Sequence, residues 1–186
     1  MSAGALDTPR TDHTNMRSVL ALVDDLLDSI EAGLTPNFVL LANALYYMRK
    51  FPGQVHHPKE DLIFKLLCAR DPTAIDEVSY ARDEHKEIAE TEDWLVELVL
   101  DAPRPGTTAR QRMLEFGRRY IETQNRHSER EERLLFPRAQ AALTDQDWAE
   151  VAAQFKQIDD PVFGLHGQDR YETLYRHLMQ RTSSHP

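Results

Sequence analysis

The sequence contains one cysteine, few glycines and no long apolar run, and each scarcity excludes a class of protein. Cys68 is the single cysteine among 186 residues, which excludes an internal disulfide framework and a thiolate zinc site. Only seven glycines occur, which is typical of an α-rich protein. No stretch reaches the ~18 apolar residues of a membrane span. The first residues show no basic region followed by an apolar run. We therefore expect no secretory signal and a cytoplasmic setting.

Positive charge is scarce as well. The chain has 22 Lys and Arg residues against 31 Asp and Glu, for a formal net charge of −9. Nucleic acids and anionic membranes attract basic surfaces, so we expect neither as a partner. Strong helix formers (Ala, Leu, Glu, Arg and Gln) dominate what remains, which indicates a soluble α-rich protein.

The apolar spacing predicts an all-α protein, an antiparallel up-and-down four-helix bundle with short additional C-terminal helices. Residues 1–186 are predicted to form one domain, with a core bundle at about 11–143 and a helical extension at about 144–186. Loops are predicted at 101–106 and 159–167. The predicted helical segments are about 11–33, 36–50 with a break or kink at 51–53 and a restart near His56, 71–100, 107–143, 144–158 and 171–180.

One short pattern occurs twice, as His56-x-x-x-Glu60 and as His127-x-x-x-Glu131. On a helix, positions i and i+4 lie one above the other, so the imidazole and the carboxylate project from the same side. Apolar residues such as Leu134 continue each stripe toward a core. An ionised carboxylate there is costly unless a cation meets it. The pattern therefore predicts a metal site.

Two further histidines, His13 and His85, lie on the apolar faces of their own predicted helices. A single histidine in such a place is more often a hydrogen-bonded core residue than a ligand. Four inward histidines on four helices, together with two carboxylates at matching offsets, favour a shared metal centre. The predicted ligands are His13, His56, Glu60, His85, His127 and Glu131.

His57 competes with His56 as a ligand, with Asp61 in place of Glu60. Counting seven and eight residues on from His56 reaches apolar residues only, whereas the same count from His57 reaches Lys65 and would point a lysine inward. We therefore predict that His56 and Glu60 bind the metal. His57 is then expected beside the site, at the solvent or at the start of the helix.

This arrangement resembles the hemerythrin-like family, also called HHE cation-binding domains, over nearly the whole chain. The resemblance implies a non-haem di-iron centre, with an oxo or hydroxo bridge, inside a four-helix bundle. It also implies that the four histidines are terminal iron ligands and that Glu60 and Glu131 bridge the two irons. The residues that carry it are His13, HHPKEDLIF at 56–64, His85 in DEHKEI, HSEREERLLFP at 127–137, DPVFG at 160–164, Tyr171 and Leu174.

The chain departs from the oxygen-carrying members of that family. Those have a His-x-x-x-His pair on the third helix and five histidines in total, whereas Ala81 and Ala89 stand four residues either side of His85. His57, His166 or another carboxylate could supply the absent donor. Fewer fixed ligands favour reaction with O2, peroxide or NO, or iron handling, over reversible oxygen carriage.

Several alternative functions remain open at this point. The centre could belong to an enzyme that reduces peroxide or NO. The four-His, two-Glu pattern is also similar to proteins that repair iron–sulfur centres, although their cysteine-containing N-terminal segment is absent here. Nitrogen and oxygen ligands do not by themselves select iron, so zinc or another divalent ion could bind instead. A ferritin-like site is disfavoured, because no histidine has an acid three residues before it.

Overall fold

The protein is all-α in a computed structural model that describes residues 6–100, 107–155, 160–164 and 171–183, among which no β-strand occurs. Two π-helical segments, Pro52–His56 and Glu131–Leu135, join neighbouring α-helices, and a 3-10 turn at Pro72–Ala74 precedes another. The predicted loop at 101–106 lies outside the described residues. The α-helices are α1 (Asp7–Glu31), α2 (Phe38–Phe51), α3 (His57–Arg70), α4 (Ile75–Leu100), α5 (Thr107–Arg130), α6 (Phe136–Ala142), α7 (Asp145–Gln154) and α8 (Glu172–Ser183).

The long helices pack around one another. Helix α1 contacts α2 and α5, and α4 contacts the same two helices, so the four enclose a common interior. The predicted all-α fold is confirmed, while the up-and-down direction and the division at residue 143 stay predictions. None of the helices described has the length and apolar character needed to cross a membrane.

The interior consists of two apolar clusters with a polar layer between them. The larger cluster includes Leu27, Met48 and Ile88, and the smaller one includes Phe64 and Phe136. Along the chain, His13 lies between Leu6 of the smaller cluster and Met16 of the larger one. Each of the other predicted ligands likewise has a residue of one cluster before it in the sequence and a residue of the other cluster after it. The helices therefore bring polar side chains to one level of the bundle.

Side-chain caps and one glycine mark several helix ends. Gly33 follows α1 with φ of +76°, a conformation that favours glycine. The Asn37 side chain caps α2 by accepting a hydrogen bond from the Leu40 amide. Thr144 and Asp147 form a capping box at the start of α7. Helix α1 begins at Asp7, earlier than predicted, where Leu6 is buried against the smaller apolar cluster.

The two π-helical segments replace features that the sequence pattern predicts as a break and as a regular helix. At Pro52 the chain stays helical, and the His57 amide donates to the Pro52 carbonyl in the i to i−5 pattern. In the second segment the wider turn shifts the helical phase. Leu135 and Phe136 are buried, whereas Leu134 is 47% exposed. The prediction that Leu134 continues the inward stripe is therefore wrong.

Gly117 on α5 permits a close approach of α5 to α1. A Cβ atom at this position would lie 2.6 Å from Cδ1 of Leu27, which is buried. We expect Gly117→Ala to destabilise the protein by up to about 2 kcal/mol, because overpacking costs about 1–3 kcal/mol and alanine regains about 1 kcal/mol of helix propensity. Urea unfolding measures the change. Gly53→Ala is the control, since nothing lies within 4 Å of its Cβ position, and this variant should lose no stability.

A buried polar chain links α4 to α5. The Tyr120 hydroxyl donates to Oε1 of Glu92 at 2.8 Å, and Nε2 of Gln124 donates to the Tyr120 oxygen at 3.2 Å. Burial raises the pKa of Glu92 to about 8, although the hydrogen bond from Tyr120 opposes the shift. Glu92 is therefore a largely neutral carboxylic acid at pH 7.

We expect Glu92→Gln to stabilise the apoprotein relative to wild type as pH rises. The folded pKa of Glu92, about 8, exceeds its ordinary value of 4.5. Between those values the unfolded chain releases a proton that the folded chain keeps, so the wild type loses up to about 1.4 kcal/mol per pH unit. Urea unfolding at pH 5.5 and pH 8 measures the difference. Glu97→Gln, at an exposed position of α4, is the control; a pH-independent difference for Glu92→Gln would contradict the prediction.

Candidate metal centre

The structure brings the six predicted ligands together in the polar layer of the bundle. The side chains are almost completely buried, with His85 the most exposed at 10%. Each long helical element contributes at least one of them. The residues are His13 on α1, His56 at the end of the first π-helical segment, Glu60 on α3, His85 on α4, His127 on α5 and Glu131 at the start of the second π-helical segment.

Each of the two carboxylates lies among several imidazoles. Oε1 of Glu60 lies 3.3 Å from Nε2 of His13 and 3.1 Å from Nε2 of His56, and its Oε2 lies 3.8 Å from Nε2 of His85. Oε2 of Glu131 lies 3.3 Å from Nε2 of both His13 and His127. Both carboxylates are therefore placed between two sets of histidines, as bridging ligands would be.

The donor atoms form two adjoining groups that share Glu60. Within each group, one donor atom per residue lies within 4.8 Å of all the others. Oε1 of Glu131 also lies 3.8 Å from Nε2 of His85, so Glu131 reaches toward the second group as well. The first group is His13, His56, Glu60 and Glu131, and the second is His57, Glu60, His85 and His127.

His57 joins the cluster together with His56, whereas the sequence pattern treats the two as alternatives. Its ring stacks on His85 with centroids 4.1 Å apart, and its Nε2 is buried. Glu60 follows His57 by three residues and His56 by four, and both spacings make neighbours on a helix. The rule that excludes His57 relied on Lys65, which is exposed two turns later, beyond the site. The cluster thus contains five histidines.

Most of the donor atoms lack hydrogen-bond partners, whereas Nε2 of His85 and Nε2 of His127 lie 3.0 Å apart. Among the described residues, buried atoms without a partner include Nε2 of His13, His56 and His57 and both oxygens of Glu60 and Glu131. Some of these atoms approach within 3.1–3.3 Å, but without the geometry of hydrogen bonds. Unsatisfied polar atoms in an interior are costly. Two metal ions would satisfy them, so this donor set fits a pair of cations.

Without metal, protons balance the buried negative charge. Burial lowers the pKa of His56, but Glu60 and Asp12 outweigh it and raise this pKa to about 9. The same competition, with burial opposed by Glu131 first, holds the pKa of His13 well above its ordinary 6.5. Burial raises the pKa of Glu60, yet His56 and His13 bring it well below 4.5. Metal binding must therefore displace protons from these histidines.

A ring of four outer carboxylates surrounds the cluster, and sequence reasoning missed it. Each outer acid lies against the second ring nitrogen, Nδ1, of a clustered histidine on a different helical element. The pairs are Asp12 with His56 at 3.2 Å, Asp61 with His85 at 3.7 Å, Glu84 with His127 at 3.3 Å and Glu132 with His13 at 2.9 Å.

The pairs run once around the bundle in chain order. Asp12 on α1 pairs with His56 of the first π-helical segment, and Asp61 on α3 pairs with His85 on α4. Glu84 on α4 pairs with His127 on α5, and Glu132 of the second π-helical segment pairs with His13 on α1. Each outer acid directly adjoins a clustered residue in sequence, as in Asp12-His13 and Glu84-His85. This adjacency in the sequence is a signal from which the outer acids could be predicted. Such partners fix the tautomer and orientation of a ligating imidazole.

We expect Glu84→Gln to weaken metal binding by about 10–100-fold, the usual effect of losing an outer-shell carboxylate. Glu84 accepts from Nδ1 of His127 and is held on its outer side by Arg126 and Arg130. Competition with a chelator of known affinity measures the change. Glu87→Gln is the matched control, because Glu87 lies on the same helix and pairs with the exposed Arg119. Equal affinities in the two variants would show that Glu84 does not orient His127.

His166 lies outside the described residues. Cys68 is half-buried and packs against the smaller apolar cluster, and burial raises the pKa of its thiol. It is therefore a packing residue and not a thiolate.

A helical protein with buried carboxylates that lie among five histidines has the features of a cation-binding helical protein. Comparison with known families agrees, since residues 5–139 match the model of the hemerythrin HHE cation binding domain. The chain belongs to that family. A search of curated proteins found no match.

Proposed function

We propose that the protein holds a non-haem di-iron centre that binds, senses or reacts with small oxidants such as O2, peroxide or NO. The observation that carries this proposal is the pair of adjoining donor groups, because two carboxylates shared by five imidazoles suit two cations and not one. Imidazole and carboxylate donors suit iron, and the matched family binds cations.

The proposed division of ligands follows the two groups. His13 and His56 would hold one iron, and His57, His85 and His127 would hold the other, with Glu60 and Glu131 bridging. The protein then supplies four donors to the first iron and five to the second, fewer than the about six of octahedral coordination. Iron, when bound, would supply redox chemistry and a position for a small ligand.

The surrounding residues limit access to the site and orient its histidine rings. The two apolar clusters cover the site on two sides, which limits the access of bulk water and large reductants. The outer acids hold His13, His56 and His127 by Nδ1, so Nε2 is the nitrogen by which each of these histidines would bind a metal. A rigid, enclosed site of this kind selects ligands by size.

Anaerobic stopped-flow absorption tests the proposal. Ferrous-loaded protein is mixed in turn with O2, H2O2 and NO, and we expect a change in visible absorption at stoichiometric amounts of at least one of them. Sustained consumption of H2O2 over many turnovers would identify an enzyme. Iron-loaded protein that responds to none of the three would contradict oxidant chemistry and favour a role in iron handling.

A further inference from the structure

A cavity of about 240 Å³ lies between α2 and α4, beside the first π-helical segment. Its inner wall includes the buried residues His57 and Glu92. Its outer wall includes the solvent-exposed ion pair of Arg49 with Asp93, whose nitrogen and oxygen lie 2.8 Å apart. The cavity therefore leads from the protein surface to a histidine of the metal centre.

Small residues keep this space open. Gly53 and Ala89 form part of the walls, and nothing lies within 4 Å of the position of a Cβ atom at Gly53. Ala89 follows His85 by four residues and lies on the same side of α4. The cavity greatly exceeds the ~30 Å³ that one water occupies in the liquid, so a molecule of several heavy atoms can enter.

The walls are mainly apolar, and the polar groups among them carry little net charge. Arg49 and Asp93 neutralise each other at the mouth. At the inner end, Glu92 accepts from Tyr120 through Oε1, so Oε2 carries the proton of the neutral acid and can donate to a guest. An ion would lose hydration there without a counter-charge. The walls favour an uncharged molecule that forms hydrogen bonds.

We propose that this cavity is the route by which a small uncharged, hydrogen-bonding molecule reaches the metal centre, and that the molecule docks against Glu92 on the way. The proposal rests on the proposed function for the centre at its inner end. Hydrogen peroxide is the probe, since it is uncharged and both donates and accepts hydrogen bonds.

The first test uses the apoprotein and does not depend on metal. Diethyl pyrocarbonate modifies neutral imidazole, and peptide fragmentation by mass spectrometry distinguishes His57 from His56. Ala89→Phe and Gly53→Phe fill the cavity from opposite walls. We expect each to slow labelling of His57 by about tenfold or more, because the reagent then requires an opening fluctuation of the protein. Glu90→Phe, which adds the same ring at an exposed neighbouring position, should leave the rate unchanged.

The second test uses iron-loaded protein. Both filling variants should retain wild-type iron content and slow the absorption change caused by H2O2 by about tenfold or more, for the same reason. Unchanged rates in both variants, with His57 labelled as fast as in wild type, would overturn the proposed route. If wild-type protein binds no metal, the proposed function fails, and the labelling experiment still decides whether the cavity gives access to His57.

Discussion

Glu60→Gln is expected to reduce metal content from two ions per chain to one or none. The two donor groups share Glu60, and its oxygens contact His13, His56 and His85. An amide keeps the shape but offers one neutral oxygen, and its NH2 group points at the other cation. The loss of affinity should exceed the about 10–100-fold expected of an outer-shell partner.

Metal titration of the apoprotein, followed by calorimetry, measures this loss. Glu131→Gln should behave similarly, because Glu131 contacts histidines of both groups. Glu129→Gln is the control, since Glu129 is exposed and pairs only with Arg133 among the described contacts. Two ions bound at wild-type affinity in Glu60→Gln would show that Glu60 does not bridge.

Removal of both metals is expected to lower Tm by roughly 16–32 °C. Each ion at about a thousand times its Kd contributes about 4 kcal/mol to folding, so two ions contribute about 8 kcal/mol, and each kcal/mol shifts Tm by about 2–4 °C in a domain of this size. The physical reason is the set of buried donor atoms that have no hydrogen-bond partner. Calorimetry with and without a chelator measures the shift.

The difference between metal-bound and metal-free protein should grow with pH. The pKa values of His13, His56 and His127 are raised in the apoprotein. A raised pKa stabilises the folded apoprotein below about 6.5 and loses that effect as pH rises through the folded value, about 9 for His56. Metal competes with the same protons and binds better over this range. A chelator-induced change in Tm that stays constant or shrinks from pH 6.5 to 9 would contradict the prediction.

Adding metal ions back to the chelated protein shows whether its stability depends on the identity of the metal. Ferrous iron should restore the stability that the chelator removes. Calcium should not, because it prefers six to eight oxygen ligands and this site offers mainly nitrogen.

The sequence predicts the bundle because apolar residues recur with the period of a helix. It also predicts the six clustered residues, since His-x-x-x-Glu fixes two side chains on one helix face. In both cases the information lies within one helix. A sequence pattern within one helix is enough to predict that the segment is helical and which face of the helix carries a side chain.

What the sequence does not predict depends on hydrogen bonds and contacts between helices. A π-helical turn differs from an α-helical turn by one hydrogen-bond step, so spacing alone did not show that Leu134 would face solvent. The count that favours His56 over His57 extends two helical turns to Lys65, which lies beyond the site. The outer acids pair across helices, and such pairing depends on how neighbouring helices are rotated against each other.

The most direct measurement is elemental analysis of protein purified from iron-replete cells, joined with X-ray absorption at the iron edge. We predict two iron ions per chain, matching the two donor groups, with an iron–iron distance of about 3.5–4 Å, as in other two-metal sites. A single ion per chain, no bound metal, or zinc in place of iron would contradict a di-iron centre.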